Sequence, residues 1–555
     1  MDGGRAAVRR AGRRAAAVAV WALPAAFLAV FFLYPVGTIL FEGLDGRGLD
    51  RLVELGGRAS FRSVAWFTLW QAVASTVLTV LVALPGAHLL ARRRFRGKAL
   101  LRAVTTVPFV LPTVVVGGAF LAVFERLGLD DGPLRLTRTA GAILVAHVFF
   151  NVAVVLRTVG TFWEGLDPRA DEQARVLGAT PWQAFRWVTW PALRPAVAAA
   201  ASIVFLFCFT SFGVVLVLGG PARATLETEV WRHAVSRGDL ASATAVALVQ
   251  LAAVVAAVVA SNHLQRRRAV VQRPVRRVPL PRAGRGLLAG NLSLLAAVLG
   301  LPVVVLVERS LRQLGGGSGG GWSGGWTLGH YAALADRVNL LPVSALEALG
   351  NSLLFAVVAG GVATVVGGLA AVVVVHGRRA VARAFDLGMM LPLGVSAVTL
   401  GFGMLLALDE PPLDLRSSRW LVPVAHSLVG VPFVMRTVVP TLRSVDQRLR
   451  EAASTLGASP ARVRREVDCP LALRALAVGA AFSVAVSLGE FGATSFLPRH
   501  PDRLTAPLAL FRLLGVPGGA LRGQAMALAV VLMVLTAAAV LVIEGGRRGS
   551  VRGDW

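Results

Sequence analysis

Long apolar runs, separated by short polar stretches rich in arginine, fill the chain from about residue 16 to residue 544. Crossing a hydrocarbon core as a helix takes about 20 mainly apolar residues, and twelve stretches approach or exceed that length. In the first half they cover 16–40, 62–90, 104–125, 140–162, 195–219 and 241–263, and in the second 286–308, 348–375, 385–408, 420–440, 473–498 and 523–544. The pattern predicts an all-α polytopic membrane protein of about twelve spanning helices. Arg5, Arg9, Arg10, Arg13 and Arg14 precede the first run, as they would in a secretory leader. That run is too long for a leader and no small-residue cleavage site follows it, so it reads as a first spanning helix.

Two polar stretches interrupt the apolar pattern in the same way. EQARVLGATP occupies 172–181 and EAASTLGASP occupies 451–460, an offset of 279. At that offset residues 147–191 align with 426–470 without gaps, and 17 of the 45 positions are identical, among them His147/His426, Arg157/Arg436, Asp167/Asp446 and Pro191/Pro470. The same offset pairs Phe212-Gly213 with Phe491-Gly492. The chain is therefore an internal duplication. Six spans per half give both halves one orientation, a parallel repeat about an axis along the membrane normal. The expected organisation is a first repeat over 1–263, a basic cytoplasmic linker over 264–285 and a second repeat over 286–555.

Each polar stretch carries the local signals of a helix, a turn and a second helix. A short helix is expected over 168–177 and again over 446–456, ended by Gly178 or Gly457 in the left-handed conformation that glycine adopts freely. Thr180-Pro181 and Ser459-Pro460 then supply an N-cap and a first-turn proline. Pro191 and Pro470 are expected to end that second helix before the fifth span.

Composition and charge sharpen this reading. The chain is 55% hydrophobic and 16% charged, with a formal net charge of +27 in which Lys98 is the only lysine. With the N-terminus placed in the cytoplasm, cytoplasmic segments hold 36 of the Lys and Arg residues and outward loops 19, with Arg157 and Arg436 inside spans. That bias sets both termini on the cytoplasmic side of a cell membrane. The basic runs at 92–98 and 266–282 are topology determinants, and no aromatic-interleaved basic surface argues for nucleic acid.

Catalytic chemistry finds no footing. A phosphate-binding loop needs Gly-Lys-Ser/Thr, and Lys98 is followed by Ala99. No HExxH or CxxC occurs, and Cys208 and Cys469 fall on a span and a cytoplasmic loop, a poor basis for a disulfide. No cofactor, metal site or catalytic residue is expected in this chain. Ionisable residues within spans are functional candidates by default. Arg157 and Arg436 lie near the cytoplasmic end and can snorkel, while His147 and His426 suit a hydrogen-bonded packing role. Glu490 stands apart because its counterpart is Ser211. It is a candidate pathway residue, meeting a cationic solute or pairing with Arg436. The stretch GGGSGGGWSGGW (315–326) reads as a flexible outward loop whose Trp322 and Trp326 are candidates for an interface or partner contact.

The pattern E-x-A-x-x-L-G-A followed by a helix ending in proline resembles the cytoplasmic coupling loop of permease subunits of binding-protein-dependent ATP-binding-cassette importers of type I. Glu172, Ala174, Leu177, Gly178, Ala179 and Pro181 match in one copy, and Glu451, Ala452, Ala453, Leu456, Gly457, Ala458 and Pro460 in the other; Gln173 departs where alanine is common. With HVFFN (147–151), CFTSFGVVLVLGG (208–220), ATLETEVW (224–231) and SLGEFGATSFL (487–497), the chain is similar to the fused permeases of the thiamine and ferric-iron import group. That resemblance implies two cytoplasmic ATPase subunits that use ATP, one on each loop, and an extracytoplasmic solute-binding protein. Glu172 and Glu451 are expected to hold the loops by contact with a partner or within the loop, or to serve as first-turn carboxylates. An ion-coupled secondary transporter is the alternative function for twelve spans in a parallel repeat.

Overall fold

A computed structural model describes residues 20–94, 111–130, 135–265, 278–279, 285–313, 324–409, 413–415, 417–497, 500–516 and 518–551, with isolated residues between 98 and 108. In the first half the principal helices are α1 (Val20–Leu44), α2 (Ala59–Arg92), α3 (Thr113–Arg126), α4 (Ala140–Glu164), α5 (Arg169–Val176), α6 (Pro181–Phe209), α7 (Gly213–Gly219), α8 (Leu226–Trp231) and α9 (Leu240–Ser261). The second half continues with α10 (Ala289–Leu311), α11 (Ala345–His376), α12 (Arg379–Gly394), α13 (Ala397–Ala407), α14 (Leu421–Ser444), α15 (Gln447–Thr455), α16 (Arg465–Gly489), α17 (Ala506–Leu514) and α18 (Gly519–Leu541). Strand pairing among the described residues is limited to a two-residue parallel pair, Arg93-Arg94 with Val278-Pro279, and an isolated antiparallel bridge between Arg312 and Trp326.

Among the described residues ten helices are long and apolar enough to cross a membrane, and an eleventh candidate is the pair α12–α13, bent by 99°. The 385–408 segment is thus not one helix. Pro392 and Gly394 weaken its helix from within, and Ser396 caps a new one by accepting from the amides of Val398 and Thr399. The 104–125 segment lies partly outside the described residues, and α3 begins only after Pro112. Both segments must still traverse the fold. Gly430 faces Ala363 and Gly367 faces Val434, so α11 and α14 run parallel. Ser75 meets His147 and Gly86 meets Leu156, so α2 and α4 do as well. Between two parallel neighbours the chain has to return across the membrane.

The expected spans 195–219 and 473–498 are also broken. The helix stops at Phe209 in one and at Gly489 in the other, and Thr210–Phe212 and Glu490–Gly492 follow as non-helical backbone. The first span is described from Val20 and continues to Leu44, beyond the expected end at 40, and residues 1–19 lie outside the described residues. Most of the linker 264–285 and the glycine run 315–323 with Trp322 lie outside them too. Trp326 is described, with the Arg312 guanidinium 5.2 Å over its ring. Cys208 is buried, Cys469 is exposed, and both are free thiols.

One apolar core joins the halves, with Val115, Phe149 and Val215 of the first packed in the same cluster as Phe402, Phe491 and Leu510 of the second. The outside is equally apolar: Trp66, Val77, Leu81, Val357 and Val365 are exposed. A chain apolar on both its inner and outer faces is built for lipid.

Candidate functional site

Each polar loop folds as its capping signals dictate. Asp167 Oδ1 accepts from the Arg169 amide at 3.0 Å, and Asp446 Oδ1 from the Arg448 amide at 2.9 Å, the same bond displaced by 279. α5 and α15 both end in a Schellman turn. Ala179 N–H donates to Ala174 O and Gly178 N–H to Arg175 O, and Ala458 and Gly457 repeat both bonds to Ala453 and Ser454. Gly178 has φ +90° and Gly457 φ +84°, a conformation strained for any residue with a Cβ. Thr180 and Gln183 then form a reciprocal capping box at Pro181.

Pro191 and Pro470 do not end the second helix. A five-residue π turn precedes each, at Phe185–Thr189 and Arg464–Asp468, and the helix runs on into α6 or α16. The π turn offsets the i→i−4 ladder locally, so a proline lacking its N–H fits without a break. The loop and its following span are therefore one stiff rod in each half.

The rod is tied back to the short helix at equivalent positions by different chemistry. Thr189 donates to Asp171 at 3.4 Å in the first loop, and Arg450 Nε donates to Asp468 at 2.9 Å in the second. Arg450→Asp alone places two carboxylates together and is expected to speed tryptic cleavage of this loop severalfold. Arg450→Asp with Asp468→Thr recreates the first-half pair and is expected to restore the wild-type cleavage rate.

The loops expose apolar residues at their tips. Leu177 and Leu456, the matched residues before each glycine, are both 88% exposed, and Val176 is as exposed as Leu177. Glu172 and Glu451 are exposed as well. Glu172 lies in the first turn of its helix, but Glu451 lies beyond the first turn of its own, so the dipole reading fits one copy only.

A second site is built from the helix breaks. Leu111 to Thr113, Thr210 to Gly213, Leu393 to Ser396 and Gly489 to Gly492 come from both halves and converge on a cavity of about 330 Å³. Non-helical backbone at membrane depth is tolerated where it lines such a cavity. Phe212 and Phe491, repeat equivalents, stack on each other at 5.3 Å beside it. His147 hydrogen-bonds Ser75 and Ser211 hydroxyls at 2.9 and 2.8 Å, and His426 hydrogen-bonds Ser487 and Thr494 at 2.7 Å each. Both imidazoles are satisfied packing elements.

Glu490 lines the cavity, and its Oε1 accepts from the Ala493 amide at 2.7 Å. Arg436 is exposed, and no ion pair joins it to Glu490 among the described residues.

Sequence reasoning missed Glu227. It is 0% exposed, its Oε1 accepts from Gln250 Nε2 at 2.8 Å and its Oε2 from Ser396 Oγ at 2.7 Å. This bond ties α8 of the first half to the start of α13 in the second, where Ser396 also lines the cavity. The equivalent of α8 is α17. The Leu226 amide donates to Thr68 Oγ1 at 3.0 Å and the Ala506 amide to Ser352 Oγ at 2.8 Å. Glu227 thus corresponds to Pro507, and the available signal was a glutamate present in one repeat only.

Comparison with known proteins adds three findings. The sequence profile described as "Binding-protein-dependent transport system inner membrane component" matches residues 83–270 and 363–544. The chain is 28% identical over 476 residues to the thiamine transport system permease protein ThiP of Escherichia coli (strain K12), covering 81% of this chain and 83% of that one. It is also 34% identical over 209 residues to the sulfate transport system permease protein CysT of the same organism, covering 36% of this chain and 75% of that one. A solved chain of a bacterial ABC transporter involved in the import of the acidic polysaccharide alginate superposes with a TM-score of 0.39 at 18% identity, over 47% of this chain and 99% of that one.

Proposed function

The chain belongs to the family of binding-protein-dependent transport system inner membrane components, and from that membership we propose that it forms the translocation path of an ATP-driven thiamine importer. Both repeats match the family, so a single chain supplies both halves of the permease, a multi-pass component of the inner membrane. Two cytoplasmic ATPase subunits each receive one loop, α5 with Leu177 or α15 with Leu456, and an extracytoplasmic binding protein delivers the solute. Both termini lie in the cytoplasm, with the first repeat over 1–263 and the second over 286–555.

The observation that carries the coupling role is the duplication of one rigid, apolar-tipped loop at an offset of 279, with the same cap, Schellman turn and π turn in each copy. An exposed apolar tip on a polar loop is the mark of a protein contact. A stiff helix running from that tip into the membrane transmits a displacement. Thiamine is favoured by similarity extending over four-fifths of both chains, against a match to the sulfate permease over 36% of this chain. Ferric iron is less suited, because the cavity offers a single carboxylate.

Uptake of labelled thiamine into proteoliposomes tests this reading, with the ATPase and the binding protein supplied together or omitted one at a time. Uptake is expected only with ATP and both partners present. Uptake by this chain alone, driven by an ion gradient, would replace the reading with a secondary transporter.

A further inference from the structure

We propose that the mid-membrane cavity is a binding station for a flat organic monocation, with Glu490 as its counter-charge and aromatic rings as its faces. The inference rests on the importer reading and goes further by assigning the solute a contact within the permease itself.

Among the described residues the lining has one carboxylate, that of Glu490, and neither arginine nor lysine. Its other titratable side chain, His147, has both ring nitrogens engaged by Ser75 and Ser211. The field inside is therefore that of carboxylates, Glu490 in the wall and Glu227 behind Ser396, in a largely apolar space where an unpaired charge is costly. A monocation entering the cavity offsets that cost. An anion such as sulfate adds to it, because like charges repel more strongly in a medium less polar than water.

The carboxylate is also held in place before solute arrives. Oε1 is fixed by the Ala493 amide at 2.7 Å, at the start of the short turn Ala493–Ser495, so the side chain does not have to be ordered on binding. Its repeat equivalent across the cavity, Ser211, is neutral and bonded to His147. The two walls thus differ by one charge, and the cationic end of a solute is directed to the second-half wall.

Aromatic rings complete the site. Phe150, Phe207 and Phe433 line the same cavity, and Phe433 is braced by stacking on Phe482 at 6.1 Å with the planes 10° apart. Ring faces attract organic cations. Asn151 and Thr210 line it too and add acceptor oxygens for the solute's own donors. One carboxylate, five phenyl rings (Phe212 and Phe491 among them) and a few neutral polar groups fit a thiazolium-type solute. They do not fit a phosphate ester, whose negative charge would face Glu490.

Equilibrium dialysis of labelled thiamine against the purified full-length permease in nanodiscs, without binding protein, reads this site directly. Wild type is expected to bind thiamine and to bind thiamine diphosphate, sulfate and the neutral isostere 3-deazathiamine much more weakly. Glu490→Gln is expected to weaken thiamine at least about thirtyfold and to abolish the preference over 3-deazathiamine. Glu490→Gln that binds thiamine like wild type would overturn the site, as would a wild type that does not discriminate between thiamine and its neutral isostere. If Glu490→Gln does not give a monodisperse protein, Phe433→Leu serves instead. It is expected to weaken thiamine severalfold while leaving 3-deazathiamine nearly unchanged, and equal effects on both would overturn the proposal. Failure of wild-type uptake with ATP and both partners would sink the importer reading. Normal uptake with an indifferent Glu490→Gln would sink only this site.

Discussion

Leu177→Asp combined with Leu456→Asp is expected to abolish ATP-driven uptake while the permease remains folded. Both leucines are 88% exposed and make no packing contribution that a charge would disturb, so the cost falls on whatever covers them. A leucine seated in an apolar pocket of a partner is worth about 2 kcal/mol or more. Burying a carboxylate there adds a desolvation cost of similar size. Two loops altered together should weaken ATPase association by at least about 100-fold. Co-purification of the ATPase with tagged permease measures this directly, with size-exclusion behaviour as the folding control. Retained ATPase and normal uptake in the double variant would remove the loops from the coupling role. Gly178→Val with Gly457→Val separates shape from surface chemistry. Each places a β-branched residue at φ near +90°, at a cost of about 1–3 kcal/mol. The leucines stay in place but the turn that aims them is disturbed, so partial loss of uptake is expected.

The parts of this molecule that were legible in the sequence are those fixed by neighbours along the chain. Caps, Schellman glycines and first-turn prolines act over four or five residues, so α5 and α15 fall within a residue of the expected 168–177 and 446–456. The duplication was legible because these local devices recur at a constant offset. The helix breaks were not, because Thr210–Phe212 and Val395-Ser396 sit inside apolar windows whose average hydropathy registers no interruption. What ends those helices is the gain from lining a cavity, and that cavity exists only once both repeats are assembled. Pro191 and Pro470 misled for the opposite reason: a local rule was overridden by a π turn. Glu490 was identified because its repeat equivalent is Ser211. Glu227 and Pro507 are related by an offset of 280, one residue away from the 279 that relates the loops, so the asymmetry there is hidden at the constant offset.

Glu227→Ala is expected to cost about 3 kcal/mol of stability and to reduce uptake at least about tenfold, although Glu227 does not line the cavity. Its two donors, Gln250 Nε2 and Ser396 Oγ, lie in a dry interface, and removing the acceptor leaves both unpaired at about 1–3 kcal/mol each. Ser396 is the more consequential of the two. It caps α13 through the Val398 and Thr399 amides, and its backbone stands at the 99° bend that forms one wall of the cavity. A serine freed from Glu227 keeps its cap bonds, but its hydroxyl proton loses its acceptor and the bend loses its tie to the first half. Glu227→Gln keeps one acceptor oxygen and the side-chain volume, and the Ser396 hydroxyl can rotate to accept from the new amide. That variant should lose less than half of the stability lost by the alanine variant. Glu227→Ala with Ser396→Ala removes one stranded donor and is expected to recover about 1 kcal/mol relative to additivity, because the two residues act as a unit. Thermal unfolding followed by intrinsic tryptophan fluorescence, run beside the uptake assay, reads all three variants. An alanine variant as stable and as active as wild type would show that the bond between the halves contributes nothing. The opposite interface, α17 against α3, has Pro507 where α8 has Glu227 and so lacks this carboxylate brace. A loss confined to Glu227 therefore means that the two halves are held unequally, and that displacements delivered by two equivalent loops meet different resistance on the two sides of the cavity.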